Sequence, residues 1–220
     1  MTFLYRPEEG ATKAIHDGME FLSNTDALIL DMRENGGGSP KTAVELLSYF
    51  FEPNTPLFSE TEGSNPPAKF SSLQNISPRN VTRPTYVLVS SRSASGGEGK
   101  PYILQDRHRA IVIGERTWAG ANAAYPYQVN AVLKITIPFG EIKTALTNTN
   151  WEGTGVTPNV PIPAGDALTV ARKMALVDLI KHTNDPAKVR LLQKALNEVS
   201  GDCTGGTSQS DCHSKTAVAN

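Results

Sequence analysis

Cysteine is scarce. Only Cys203 and Cys212 occur in 220 residues, and both lie in a Gly/Ser/Thr-rich tail. They can close as a small disulfide loop in an oxidising compartment or stay free thiols, and composition leaves both open. Cys212-His213 offers two ligands where a structural zinc takes four, so no metal is expected. Clustered charge of one sign is also missing: 21 Lys and Arg stand against 22 Asp and Glu, for a net charge of −1. Without a basic run there is no electrostatic footprint for nucleic acid. No apolar stretch approaches 18 residues, so no membrane span is expected. The opening Met-Thr-Phe-Leu-Tyr-Arg-Pro-Glu-Glu-Gly has too short an apolar part for a secretory leader, although a longer parent chain with one stays open. With 39% hydrophobic and 20% charged residues, the chain reads as an ordinary globular domain with room for a large core. Asn75-Ile-Ser and Asn80-Val-Thr fit the N-glycosylation pattern, a hint of a secreted or eukaryotic setting.

Hydrophobic periodicity divides the chain. Ala14, Ile15, Met19, Phe21 and Leu22 have helical spacing within 11–24. Ala27-Leu28-Ile29-Leu30 is a continuous apolar run, the pattern of a strand buried on both faces of a parallel sheet. Pro40 suits the first turn of a helix over 42–51. Residues 52–83, rich in Pro, Ser, Asn and Gly, read as a surface excursion with at most one short strand. Thr85–Val89 and Ala110–Gly114 are further strands flanking a helix over 95–104, and 125–129 with 132–137 can pair as a hairpin. A helix over 166–181 places Ala167, Val170, Ala171, Met174 and Leu179 inward. A last helix begins at Asp185-Pro186 and runs to about Val199. The residues after it read as a disordered tail, 200–220, behind a core of 1–199. Alternating strands and helices indicate an α/β layer.

Three glycine-rich turns follow strands, where a rigid sheet displays functional loops. In Asp31-Met32-Arg33-Glu34-Asn35-Gly36-Gly37-Gly38, consecutive glycines let backbone amides face an anion, as a phosphate cradle or an oxyanion hole. No Gly-Lys-Ser/Thr follows, which argues against a P-loop. In Ser90-Ser91-Arg92-Ser93-Ala94-Ser95-Gly96-Gly97-Glu98, a serine at a strand-to-helix junction meets the helix dipole and free amides. Composition does not choose among the four serines, and a Ser95-x-x-Glu98 capping box is the commoner use of such a motif. The third turn, Gly114 to Asn122, is followed by Glu152 in a glycine-rich turn where a carboxylate can orient a base.

Together, in this order, the segments resemble the S41 family of serine peptidases. Asp31 to Gly38 is similar to its Asp-Leu-Arg-x-Asn-x-Gly-Gly signature. Val87-Leu88-Val89-Ser90-Ser91-Arg92, Ser93 to Glu98, Ile113 to Gly120 and Trp151 to Asn159 continue the likeness over about residues 10–195. The resemblance implies an α/β fold of ClpP/crotonase type with a parallel sheet and flanking helices. It implies Ser95 as nucleophile, with an oxyanion hole from Gly96 and a glycine of the 36–38 turn, taken as Gly37, and no cofactor. Processing peptidases of the family use a lysine that aligns with Gly120, 25 residues after Ser95. The chain therefore looks closer to the tricorn-core and interphotoreceptor-retinoid-binding-protein-like branch, in which a histidine is the base and Glu152 matches its supporting glutamate. None of His16, His108, His182 or His213 occupies the histidine's expected place, so the machinery reads as incomplete. The implied partner is a peptide or unfolded protein in extended form, with a homo-oligomer open. The alternative is a non-catalytic module that binds a lipophilic ligand or peptide. An acyl-CoA enzyme of crotonase type would leave Ser95 and Glu152 without a purpose.

Overall fold

A computed structural model describes residues 8–77 and 79–201. In chain order the elements are α1 (Glu8–Phe21), β1 (Leu28–Asp31), α2 (Pro40–Leu47), β2 (Pro56–Glu62), β3 (Ala68–Ser71), β4 (Thr85–Val89), α3 (Gly96–Asp106), β5 (Ile111–Gly114), β6 (Ala123–Gln128), β7 (Lys134–Thr144), β8 (Val160–Pro161), α4 (Ala167–His182) and α5 (Pro186–Gly201). The chain forms two compact units that divide after Ala167.

The first unit holds two sheets. One is parallel, in the order β1-β4-β5-β8. Its centre is β4, whose five residues are all buried, the pattern expected of a parallel strand covered on both faces. The strand at 28–31 was expected to be equally buried, but only Leu28 is. It lies at the sheet edge, where one flank has no neighbour among the described residues. The core joins Leu47, Phe50, Leu57, Val87, Leu104 and Trp151, among others. Pro40 opens α2, and Ser39 caps it by accepting the Lys41 amide at 3.2 Å. α2 ends at Leu47, four residues short of the expected end, and Ser48 to Phe51 continue as turns.

The second sheet corrects the expectation of a surface excursion. β2 and β3 pair antiparallel, and β7 joins β2 and carries β6, giving the order β3-β2-β7-β6. Only a few residues, such as Leu57 and Phe58, are buried in this stretch, so the apolar period is too thin to read locally. Phe58 stacks on Phe70 across the pair, with ring centroids 4.6 Å apart. The two glycosylation tripeptides separate here. Asn75 is exposed, whereas Asn80 is buried and its amide nitrogen donates to Thr85 Oγ1 at 3.2 Å.

The second unit contains α4 beyond its first residue, and α5. In α4 the buried positions are Ala167, Ala171 and Ala175, each four residues from the next. Val170, Met174 and Leu179, expected inward, are only half-buried. Of the expected disordered tail, 200–220, Ser200 and Gly201 still belong to α5; its remainder, with Cys203, Cys212 and His213, lies outside the described residues.

Candidate active site

The Asp-x-Arg strand end is a brace. Arg33 donates to Asp31 Oδ1 (2.9 Å) and Oδ2 (2.5 Å) and to the Ala164 carbonyl (2.8 Å). This ties the tip of β1 to the segment after β8. The Arg33 guanidinium holds the Asp31 carboxyl below its ordinary range. Beyond it the chain turns through Asn35, which is buried, accepts the Ala94 amide on its carbonyl (3.0 Å) and accepts the Gly37 amide on Oδ1 (3.0 Å).

The geometry separates the four serines after β4. Ser90 Oγ donates to the Arg33 carbonyl (2.6 Å), and Ser93 Oγ donates to the Met32 carbonyl (2.9 Å) while accepting the Ser90 amide (3.0 Å). Both are buried struts between the two loops. Ser91 is exposed and its amide donates to Glu115 at 3.3 Å. Ser95 is exposed at the start of α3, with φ 52° and ψ −124°. A non-glycine residue in that region costs about 1–3 kcal/mol and persists only where its surroundings hold it there. A strained strand-to-helix turn of this kind lifts a hydroxyl out over a sheet edge.

Glycines let the two loops close on each other. A Cβ on Gly37 would lie 2.9 Å from Ser95 Cβ, and one on Gly97 would lie 2.1 Å from the Asn35 carbonyl oxygen. A Cβ on Gly96 would lie 3.1 Å from the Gly38 carbonyl oxygen and 3.2 Å from its nitrogen. The Gly37 amide, assigned above as an oxyanion donor, is already given to Asn35. Gly37 supplies clearance, and Gly38 is the amide beside Gly96. Neither the Gly96 nor the Gly38 amide has an acceptor among the described residues.

Glu98 is the residue whose reach the sequence did not disclose. Its carboxylate is buried and accepts four hydrogen bonds. Oε2 takes the amides of Ser95 (2.8 Å) and Gly120 (3.0 Å), and Oε1 takes the Ala119 amide (2.7 Å) and the Thr117 hydroxyl. The capping box was legible, but the link to residues 117–120 arises only in the fold. Glu152 Oε2 likewise accepts the amides of Ala121 (2.7 Å) and Asn122 (2.8 Å).

Two cavities meet at Ser95. A cleft of about 860 Å³ is lined by Gly36, Gly38, Ser95, Trp118, Gly120 and Glu152, with Ala124, Thr136 and Pro138 of the β6–β7 hairpin on one wall. Beside it an apolar pocket of about 90 Å³ is walled by Phe58, Ile103, Ile142 and Trp151. The three histidines among the described residues lie elsewhere. His16 joins α1 to α2 through Glu45 (3.1 Å) and Tyr49 (2.8 Å), His108 follows α3 in a turn, and His182 contacts Asp178 in α4. Trp118, also unmarked in the sequence, is 67% exposed on the cleft wall.

Lys100 is buried one turn into α3 and its ammonium donates to the Gly96 carbonyl. α3 runs on through Pro101 despite the missing amide. Burial pushes the Lys100 ammonium down to about 8 from 10.5. Between those values the unfolded chain keeps a proton that the folded chain has shed, so this group's penalty is full below pH 8 and fades as pH rises to 10.5. Lys100→Met is therefore expected to be more stable than the parent at pH 7, by about 3 kcal/mol at most. The gap should narrow by pH 10 in urea unfolding. A gap unchanged by pH would remove burial of the charge as its cause.

The family model for peptidase family S41 matches residues 3–162. The chain belongs to peptidase family S41. Its curated relatives include carboxyl-terminal-processing peptidase 2, chloroplastic, of Arabidopsis thaliana, 25% identical over 167 residues, covering 70% of this chain and 30% of the relative. Carboxyl-terminal-processing peptidase 1, chloroplastic, of the same plant is 27% identical over 140 residues, covering 63% and 28%. The chain thus spans less than a third of the curated S41 relatives it matches. Among solved structures, the photosystem II D1 C-terminal processing protease superposes with a TM-score of 0.59 at 22% identity, covering 71% of this chain and 40% of that one. Mature CPAF superposes at 0.57 and 18%, covering 81% and 48%. These likenesses establish the S41 protease fold, mixed α/β with a parallel sheet and flanking helices.

Proposed function

We propose that this S41 chain carries the nucleophilic core of a serine-type endopeptidase. The observation that carries the reading is Ser95, an exposed hydroxyl on a strained turn at the junction of both cavities, beside two uncommitted glycine amides. Ser95 Oγ attacks the peptide carbonyl carbon and gives up its proton. The carbonyl oxygen becomes an oxyanion facing the Gly96 and Gly38 amides, and the leaving amine departs with a proton. The apolar pocket accommodates a small aliphatic side chain on the acyl side. The open cleft accommodates an extended segment, in keeping with relatives named for carboxyl-terminal processing. Glu152, fixed by two amides, is the ionisable side chain of the cleft lining among the described residues. It stands where a carboxylate would steer the group that takes the serine proton.

A fluorophosphonate probe tests this reading. The wild-type chain is expected to be labelled slowly, and Ser95→Ala not at all. Slow labelling follows from a cleft that shows no histidine or lysine among its described lining residues, and added imidazole should speed it. A wild type left unlabelled even with imidazole would sink the peptidase reading. The same feature of the lining favours a second reading, a peptide-binding module without turnover. Equal peptide affinity in wild type and Ser95→Ala, with no labelling of either, would support it.

A further inference from the structure

The β6–β7 hairpin has two unlike faces. Register pairs Tyr125 with Ile137 and Tyr127 with Ile135, and Val129 bonds to Leu133 one step further out. Opposed residues of a sheet share a face, so Tyr125, Tyr127, Val129, Leu133, Ile135 and Ile137 form one apolar face. Tyr125 also stacks on Phe139 there, with centroids 4.1 Å apart. The alternate positions Ala124, Thr136 and Pro138 line the cleft. The apolar face therefore looks away from Ser95.

That face is bare. Each of its six residues is 44–56% exposed, which amounts to several hundred Å² of contiguous apolar surface, near the upper limit for a monomer. With Val132 at the tip, 94% exposed, the open area is of the order of the roughly 800 Å² that one partner contributes to a standard stable interface. Between Ala119 and Phe139 the only charged residue is Lys134, which alternation places on the other face. A surface rich in Tyr and branched aliphatics and free of charge has the composition of an interface centre. It also presents no like charges to a copy of itself. Edge-on pairing is a poorer use of the hairpin, because Pro126 in the edge strand β6 lacks the donor that strand addition needs.

We propose that this face is a homodimer interface, in which the hairpins of two copies pack apolar face on apolar face about a twofold axis. The dimer would brace one wall of each cleft from behind without entering it. The assembly does not depend on the chemistry assigned to Ser95.

Sedimentation velocity from low to high micromolar concentration tests it. The parent chain is expected to move from 23.7 kDa to twice that mass. Tyr127→Lys/Ile135→Lys should raise the concentration of half-dimerisation by about 100-fold, the equivalent of placing two unpaired charges in a dry contact. Lys134→Glu, on the cleft-facing side, should leave it unchanged. Far-UV circular dichroism and thermal melting check that the variants fold. A parent that stays monomeric at high micromolar concentration overturns the proposal whatever the variants do, as does a folded double variant that dimerises like the parent. Monomeric chain that instead floats with phosphatidylcholine vesicles overturns it in favour of a lipid surface.

Discussion

Gly97→Ala is expected to destabilise the chain by about 3–5 kcal/mol and to abolish reaction at Ser95. On helix propensity alone the change should help, because alanine gains about 1 kcal/mol over glycine inside a helix. Sterics decide the sign. The new Cβ would sit 2.1 Å from the Asn35 carbonyl oxygen and 2.9 Å from its carbon, both backbone atoms that no rotamer change can move aside. Either α3 or the 31–38 loop must retreat, and the Ala94-to-Asn35 hydrogen bond lies across the same seam. Because the Gly96 and Gly38 amides belong to opposite sides of that seam, a shift of a few tenths of an ångström parts the pair. Gly10→Ala is the control. It lies in α1 with nothing within 4 Å of its Cβ, and should add about 0.5–1 kcal/mol. Urea unfolding of both variants, with fluorophosphonate labelling rates, checks the contrast. A Gly97→Ala chain as stable as the parent would mean that the loop and helix are not in the described contact.

Glu98→Gln should cost about 2–4 kcal/mol although it changes almost no volume. A carboxylate only accepts, and this one accepts from three amides and a hydroxyl. Glutamine keeps one acceptor oxygen and turns the other position into a donor that faces two donors. Amides that cannot rotate away are left unpaired in a buried site, where the penalty is largest. Glu98→Ala removes all four acceptor contacts and should cost more. The expected signature is a fall in stability together with loss of order in two segments distant in sequence, around Ser95 and around 117–120. Hydrogen exchange would read this as faster exchange of the Ser95, Ala119 and Gly120 amides. If only the Ser95 amide speeds up, Glu98 is a local helix cap and not a clamp between loops.

These two glycine and carboxylate roles mark where sequence reading stops. Val87-Leu88-Val89 announced a central strand because continuous burial leaves a continuous apolar run. Residues 56–71 announced little, since one buried pair, Leu57 and Phe58, is too short a pattern to separate from chance. Ser95 was singled out by motif order, whereas local chemistry left four serines standing. The fold removes Ser90 and Ser93 by burying them as struts, a contact between segments some 60 residues apart. That the Gly37 amide is spent on Asn35 was beyond the sequence for another reason. Which amide of a glycine run points outward depends on backbone torsions, and the φ of +120° at Gly37 accompanies an amide turned back to Asn35. Glu152 lines the open cleft and Gly96 the apolar pocket beside it. The apolar alternation of the β6–β7 hairpin was visible, but which face lines the cleft depends on how the second sheet meets α3.

Trp118 and Gly120 constrain how this site can change. A Cβ on Gly120 would lie 2.4 Å and 2.7 Å from two atoms of the Trp118 ring, so the indole occupies the space that a side chain at 120 would need. By the sequence resemblance, position 120 is where the lysine of the processing peptidases is expected to fall. The clash is with side-chain atoms alone, and Trp118 is 67% exposed, so a residue larger than glycine at 120 is accommodated by swinging the indole toward solvent and widening that wall of the cleft.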